Sequence, residues 1–280
     1  MNETRAPERS SEPNDAAWPM PTPPGLGQPS EQHYVILKDT VRDEVTGLEW
    51  QARVPDGSFG WHEAMDYCDA LTLGERDDFE LPSRIELVSL LDLDVSEPAI
   101  SGHAFPDTPG EWFWSSSPLA EDATSAWHTY FYFGYPDVDS RESAFRVRCV
   151  ASRPAPALDG PRYAAKAESV RDQRTALTFQ RHAAPKLMTH DAASRYCEAL
   201  ELDGASDWRL PTMPELQTLV DERVRRPAVD EAAFPDTAPV PFWTGSEWAG
   251  SPDLAWYVSF DYGAALYELK TAEHAVRCVH

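Results

Sequence analysis

Basic residues are scarce in this chain: 24 Lys and Arg stand against 47 Asp and Glu, a formal net charge of −23. Such a field repels nucleic acid and anionic lipid, so neither is an expected partner. No run of eighteen apolar residues occurs, which predicts no membrane-spanning helix and no membrane insertion. Cysteine is limited to four residues with no Cys-x-x-Cys pair, so a zinc ribbon or thioredoxin-like motif is unsupported. Gly-x-Ser-x-Gly, a phosphate-binding glycine loop and His-Glu-x-x-His are missing too, and no catalytic constellation assembles. Glycine is sparse at 14 residues, while 10 Trp, 10 Tyr and 11 Phe predict compact domains rich in aromatic packing.

What is present is written twice. Residue n between Val41 and Ala151 corresponds to residue n+129 between Val170 and His280, without a gap, and 39 of the 111 aligned positions are identical. A unit this long is a duplicated domain, since solenoid repeats run about 20–50 residues. The expected organisation is a disordered Pro-rich tail over 1–32, a first domain over 33–152, a linker over 153–161 and a second domain over 162–280. The tail holds Pro19, Pro21, Pro23 and Pro24 and lacks the apolar core of a signal peptide. The first copy carries 8 basic and 23 acidic residues over 33–152, and the second 14 and 19 over 153–280, so acidity concentrates in copy one.

Each copy reads as a short hairpin (34–51 and 163–180), two helices and a β half. The first helix, near 60–73 and 190–202, places Ala64, Tyr67, Cys68 and Leu71 at i, i+3, i+4 and i+7; Ala193, Tyr196, Cys197 and Leu200 repeat this, with Thr189 as N-cap. Ser83-Arg84-Ile85-Glu86 and Thr212-Met213-Pro214-Glu215 are capping boxes that open the second helix, which explains Glu86 and Glu215 without catalysis. Alternation along 127–133 and 256–262 predicts strands with Trp127 and Phe131 inward, as Trp256 and Phe260 are. On the opposite, outward face His128, Tyr130 and Tyr132 become Tyr257, Ser259 and Asp261. The closing strand is expected over 145–150. Trp114, Trp243, Trp127 and Trp256, kept in both copies, are assigned to core.

The cysteines stand at equivalent places, Cys68 and Cys149 in one copy, Cys197 and Cys278 in the other. They fit one disulfide per domain and an oxidising compartment; four buried thiols is the competing arrangement. Positions that differ between copies are free to carry function. The candidate ligand-binding set is therefore the divergent aromatic and acidic surface: Trp112, His128, Tyr130, Tyr132 and Tyr135 in copy one, Trp248, Tyr257, Asp261 and Tyr267 in copy two. No cofactor is expected. Asp137 and Asp139 have an i, i+2 spacing that admits a hard cation such as calcium, with a solvated acidic loop as the plainer reading. Asp107 and Asp236 in Phe-Pro-Asp-Thr read as turn or cap residues.

Leu-Pro-[Ser/Thr]-x-x-Glu-Leu, Phe-Pro-Asp-Thr, Phe-Trp-[Ser/Thr]-x-Ser, Ala-Trp and Val-Arg-Cys-Val, in that order in both copies, resemble the DUF1566 family, the C-terminal domain type of Legionella collagen-like adhesins. The resemblance implies an α+β chain of two tandem C-type-lectin-like domains, each with two helices and a small, mostly antiparallel sheet. It also implies a secreted or cell-surface, non-enzymatic module that binds glycans such as sulfated polysaccharides. This chain departs from the pattern in its acidity, in Phe179 where copy one has Trp50, and in having no collagen-like stretch. It also lacks the Glu-Pro-Asn, Gln-Pro-Asp and Trp-Asn-Asp motifs of calcium-dependent sugar-binding lectins. Three readings follow: a glycan or cell-surface-polymer binder, a protein–protein assembly module, and an enzyme of the formylglycine-generating type fold, which requires reactive cysteines.

Overall fold

A computed structural model describes residues 33–151 and 160–280. The expected tail, and the expected linker up to residue 159, lie outside the described residues. The first half runs β1 (Tyr34–Ile36), β2 (Thr40–Asp43), β3 (Glu49–Gln51), α1 (Trp61–Asp69), α2 (Arg84–Ser89), β4 (Trp112–Leu119), β5 (Asp122–Tyr130), β6 (Tyr135–Ser140) and β7 (Val150–Ala151). The second repeats the order with β8 (Tyr163–Ala165), β9 (Ser169–Asp172), β10 (Thr178–Gln180), α3 (His190–Glu198), α4 (Met213–Gln217), β11 (Pro241–Trp248), β12 (Ser251–Ser259) and β13 (Ala265–Leu269). Among the described residues this is an α+β chain of four short helices and antiparallel sheets in two tandem halves: β1-β2-β3-β7 and β4-β5-β6, then β8-β9-β10 and β11-β12-β13.

The local rules explain most of these elements. Ser83 N–H donates to the Glu86 carboxylate at 2.7 Å, and Thr212 N–H to Glu215 at 2.7 Å, while the Glu86 and Glu215 N–H groups return to Ser83 Oγ and Thr212 Oγ1 at 3.4 and 3.3 Å. Reciprocal caps satisfy otherwise orphaned donors, which lets helices of six and five residues persist. Thr189 does cap α3 by position, but without a side-chain hydrogen bond. Both α1 and α3 stop short of the expected ends, at Asp69 and Glu198. The expected closing strand over 145–150 is mostly not a strand. Phe145 and Arg146 make only isolated bridges, to Phe59 and Phe113, and a ladder begins only at Val150, where β7 pairs with β3, because this segment passes between two sheets rather than along one.

One conserved clamp unites two of the motifs. The Arg148 side chain is fully buried and donates to the carbonyls of Gln51 and Ala52 at 2.6 and 3.0 Å and to Thr108 Oγ1 at 2.7 Å. Arg277 likewise reaches Thr237 Oγ1 at 2.9 Å. Thr108 and Thr237 in turn donate to the carbonyls of Phe105 and Phe234, whose rings lie 4.6 and 4.7 Å from the guanidinium carbons. The Val-Arg-Cys-Val arginine therefore fastens the Phe-Pro-Asp-Thr turn, in which Asp107 and Asp236 take φ of 64° and 60°. Burial pushes both guanidinium groups down to about 9, which leaves them charged at neutral pH, held by carbonyls and ring faces.

The halves pack against each other along a pseudo-twofold seam. A single apolar cluster includes Leu90, Leu91 and Phe131 of one half and Leu219, Val220 and Phe260 of the other. Helices α2 and α4 touch, as do the edge strands β6 and β13. Phe133 of copy one packs on Trp248 and Tyr267 of copy two. Its equivalent Tyr262 packs on Trp127, Leu119 and Val138 of copy one, and Leu119 and Val138 are the equivalents of Trp248 and Tyr267. Each half thus reaches the other through the same positions, which is what an isologous contact requires.

Candidate functional site

The register of the β4-β5-β6 sheet sets Trp112, Tyr130 and Tyr135 abreast at one end. Trp112 stacks on Tyr130 with centroids 4.8 Å apart and planes 17° apart, and Tyr130 stacks on Tyr132 at 5.9 Å and 17°. Tyr135 meets Tyr130 edge-on at 5.6 Å, and Phe133 meets Tyr130 and Tyr132 edge-on at 5.7 and 4.7 Å. From Phe133 the aromatic contact continues over the seam to Trp248 and Tyr267, themselves stacked at 4.6 Å and 13°. Tyr135 crosses as well, 6.1 Å from Trp256. Two glycines permit the close approach: a Cβ at Gly110 would lie 2.8 Å from Tyr132 Cδ2, and one at Gly250 2.2 Å from the Trp248 ring.

Six of the nine residues expected from the sequence therefore meet in one continuous band. Trp112 is its most open member, 43% exposed, and the other five are half-buried. Phe133 joins the two groups, and sequence comparison missed it because Tyr262 keeps an aromatic at the equivalent position. The band is one-sided. Across the pseudo-dyad Trp112, Tyr130, Tyr132 and Tyr135 become Pro241, Ser259, Asp261 and Ala264, while Trp248 and Tyr267 become Leu119 and Val138. The mate face keeps Tyr262, whose hydroxyl donates to Asp137 at 3.3 Å.

The other three expected residues lie elsewhere. His128 is not outward: it is 4% exposed, with its ring 5.0 Å from Phe145 and 6.3 Å from Trp114. Strand alternation misplaced it because the closing segment lays Phe145 over that face of the sheet, so both faces are covered. Tyr257 holds the same station in copy two, against His274 at 4.9 Å, so imidazole and aromatic exchange places between the copies. Asp261 pairs with Arg226 at 2.9 Å. Burial lowers His128 to about 4, against the opposing pull of Asp139. Between about pH 6.5 and 4 the unfolded chain binds a proton that the folded state refuses, so this histidine's contribution is complete above pH 6.5 and lost on acidification. His128→Tyr, the residue used in copy two, is expected to remove about 2.5 kcal/mol of the stability lost between pH 7 and about pH 4.5. Urea midpoints of the two proteins at both pH values check this, and equal losses would refute it.

Carboxylates border the band. Glu97 hydrogen-bonds the Tyr132 phenol and raises its pKa. Glu111 pairs with Arg146 at 3.2 Å. Tyr135 is pushed up to about 12 by burial and then by Asp137, and burial raises Asp137 itself. The Asp137 and Asp139 carboxylates accept from the backbone N–H groups of Val138 and Ser140 at 2.9 and 2.6 Å. Among the described residues no group of three or more His, Cys, Asp or Glu is arranged to hold a metal ion. All four cysteines are bridged, Cys68 to Cys149 and Cys197 to Cys278. A separate cleft of about 270 Å³ in copy two is lined by Arg162, Tyr163, Val220, Asp221 and Arg223. It opens where Ala165 and Ala232 replace Ile36 and His103, but its charged groups are already engaged, Arg162 with Asp172, Arg223 with Asp221 and Asp230 by the backbone N–H groups of Ala232 and Ala233.

No helix among the described residues is long and apolar enough to cross a membrane. Among curated proteins none matches this chain. The sequence profile of the Lcl C-terminal domain matches it twice, over residues 39–151 and 168–280, at the same 129-residue offset as the internal repeat. These two matches cover most of the chain, and the protein belongs to the Lcl C-terminal domain family as a tandem pair of such domains.

Proposed function

We propose that this protein is a non-enzymatic, extracytoplasmic binding module that grips a glycan or cell-surface polymer along the aromatic band. The observation that carries this is the one-sidedness of the band. Two copies of one fold share much of their core, yet only one of two pseudo-equivalent faces has accumulated Trp112, Tyr130, Tyr132, Tyr135, Trp248 and Tyr267. Packing alone does not demand this, because the mate face closes with Leu119, Val138 and Ala264. Exposed aromatic surface bordered by hydrogen-bond acceptors suits the apolar face and hydroxyl groups of a sugar. The adhesin-like character of the family and two buried disulfides support a place at the cell surface or outside it. A helix-to-last-segment disulfide in each half supports the C-type-lectin-like arrangement, with domains over 33–152 and 162–280 joined by 153–161.

A protein partner is the second reading. Tyr130 has both ring faces covered by neighbours, so it offers an edge and a hydroxyl rather than a stacking platform. The deciding experiment is a glycan array with the intact protein, run with calcium and with chelator. A hit weakened at least about tenfold by Trp112→Ala, and unchanged by Tyr257→Ala, establishes the glycan site. A blank array for folded protein transfers the band to a protein partner.

A further inference from the structure

The aromatic band is set in an unbalanced field, and the imbalance specifies the ligand's charge. Near the copy-one end lie three carboxylates: Glu97 on the Tyr132 hydroxyl, Asp137 behind Tyr135, and Glu111 beside Trp112. The cation placed to answer them there is Arg146, committed to Glu111. The basic residues of copy one do little to offset this elsewhere. Arg84 and Arg148 are fully buried, and Arg76 is bound to Asp78 and Glu49. The first copy carries 23 acidic residues against 8 basic ones over 33–152. The carboxylates make the edge of the band negative and rich in acceptors, and a sulfated or uronic polymer brings like charge and anionic groups that can only accept.

We propose that the band selects a linear polysaccharide whose residues carry free, protonated amines. This rests on the reading of the band as a glycan site and adds the sign of the ligand's charge. Ammonium groups bring positive charge to an edge where carboxylates outnumber the cation, and each hydrogen bond they donate to a carboxylate or a tyrosine oxygen is charge-assisted. The pyranose C–H faces supply the apolar surface that Trp112 covers. An extended row of rings crossing from one half to the other, rather than a closed pocket, matches a polymer that repeats this pairing of apolar face and amine.

The test compares two probes on the full chain by calorimetry, at about pH 6, where the sugar amines are protonated and carboxylates remain ionised. One is a β-1,4-linked glucosamine hexamer; the other is its fully N-acetylated counterpart. The expected result is binding of the amine at least about tenfold tighter than of the acetylated sugar. Trp112→Ala and Glu97→Gln should each weaken it severalfold, and Asp77→Asn, an exposed carboxylate remote in sequence, should leave it unchanged. Equal affinity for both hexamers overturns the charge inference while leaving the glycan site standing. Binding untouched by Trp112→Ala, or matched by hexalysine, shows charge attraction without recognition and overturns it. No binding of either hexamer, with a neutral or anionic glycan positive on the array, overturns it as well; a blank array removes the glycan reading itself.

Discussion

Cys149→Ser and Cys278→Ser are each expected to cost about 4 kcal/mol of stability, and reductant should reproduce the loss in the parent protein. Each bridge spans a sequence separation of 81, so it closes a long loop in the unfolded chain. In the chain-entropy account a loop of that length is worth about 4.5 kcal/mol. The native state has its own reason to need the bridge. Helix α1 and helix α3 have nine residues each, too short to persist without tertiary support. The segment that each bridge anchors, 145–151 or 274–280, is held largely by isolated bridges rather than a ladder. That segment also delivers Phe145 and His274 onto the sheet and Arg148 and Arg277 into their clamps. Losing the anchor therefore frees the lid over His128 and the fastening of the Phe-Pro-Asp-Thr turn together. Thermal unfolding with and without reductant measures the effect. A loss near 1 kcal/mol would mean that the aromatic core alone holds the closing segment in place.

Much of this fold was legible because its signals are local or duplicated. The capping boxes at Ser83 and Thr212, the i/i+4 placement of Ala64 and Cys68, and the cysteine pairing needed only short-range rules and the 129-residue offset. The family was readable for the same reason, since every motif occurs twice. What the sequence withheld is whatever depends on a third layer. Alternation marked His128 as opposite to Trp127, which it is, but could not reveal that Phe145 returns to cover it. Comparison of the copies marked Trp112, Tyr130, Tyr132, Tyr135, Trp248 and Tyr267 as divergent. Their meeting depends on contacts such as Phe133 to Trp248, made between residues of different copies across a pseudo-dyad, and no periodicity encodes these. Asp261, divergent by the same test, falls outside the band because the dyad carries it to the mate face, and Tyr257 because it holds the station of His128, packed against His274 of the closing segment.

The seam itself supplies the other large effect: Arg84→Ala is expected to destabilise the protein by about 3–5 kcal/mol. The Arg84 side chain is fully buried between the halves. Its Nε donates to Glu222 Oε1 at 2.8 Å, its Nη1 to Gln217 Oε1, and its Nη2 to the Gln217 carbonyl at 3.2 Å, with the Trp127 ring 5.2 Å from the guanidinium carbon. Burial depresses the Arg84 pKa and Glu222 opposes that, so the pair survives only as a pair. Truncation leaves Glu222, whose side chain is 12% exposed, without its cation and leaves a cavity beside Trp127. The pseudo-equivalent of Arg84 is Met213, so the fold accepts a methionine at this station. Arg84→Met combined with Glu222→Gln should recover most of the loss, since replacing both members of a buried pair costs far less than orphaning one. A double-mutant cycle in urea gives the coupling directly, and a value near zero would show that the ion pair contributes nothing to docking. The band gives the cycle a second readout. Trp112 stands wholly in copy one, whereas Trp248 and Tyr267 reach it only while the seam is closed. Arg84→Ala should therefore weaken ligand binding under conditions where both halves remain folded, and Arg84→Met with Glu222→Gln should restore it.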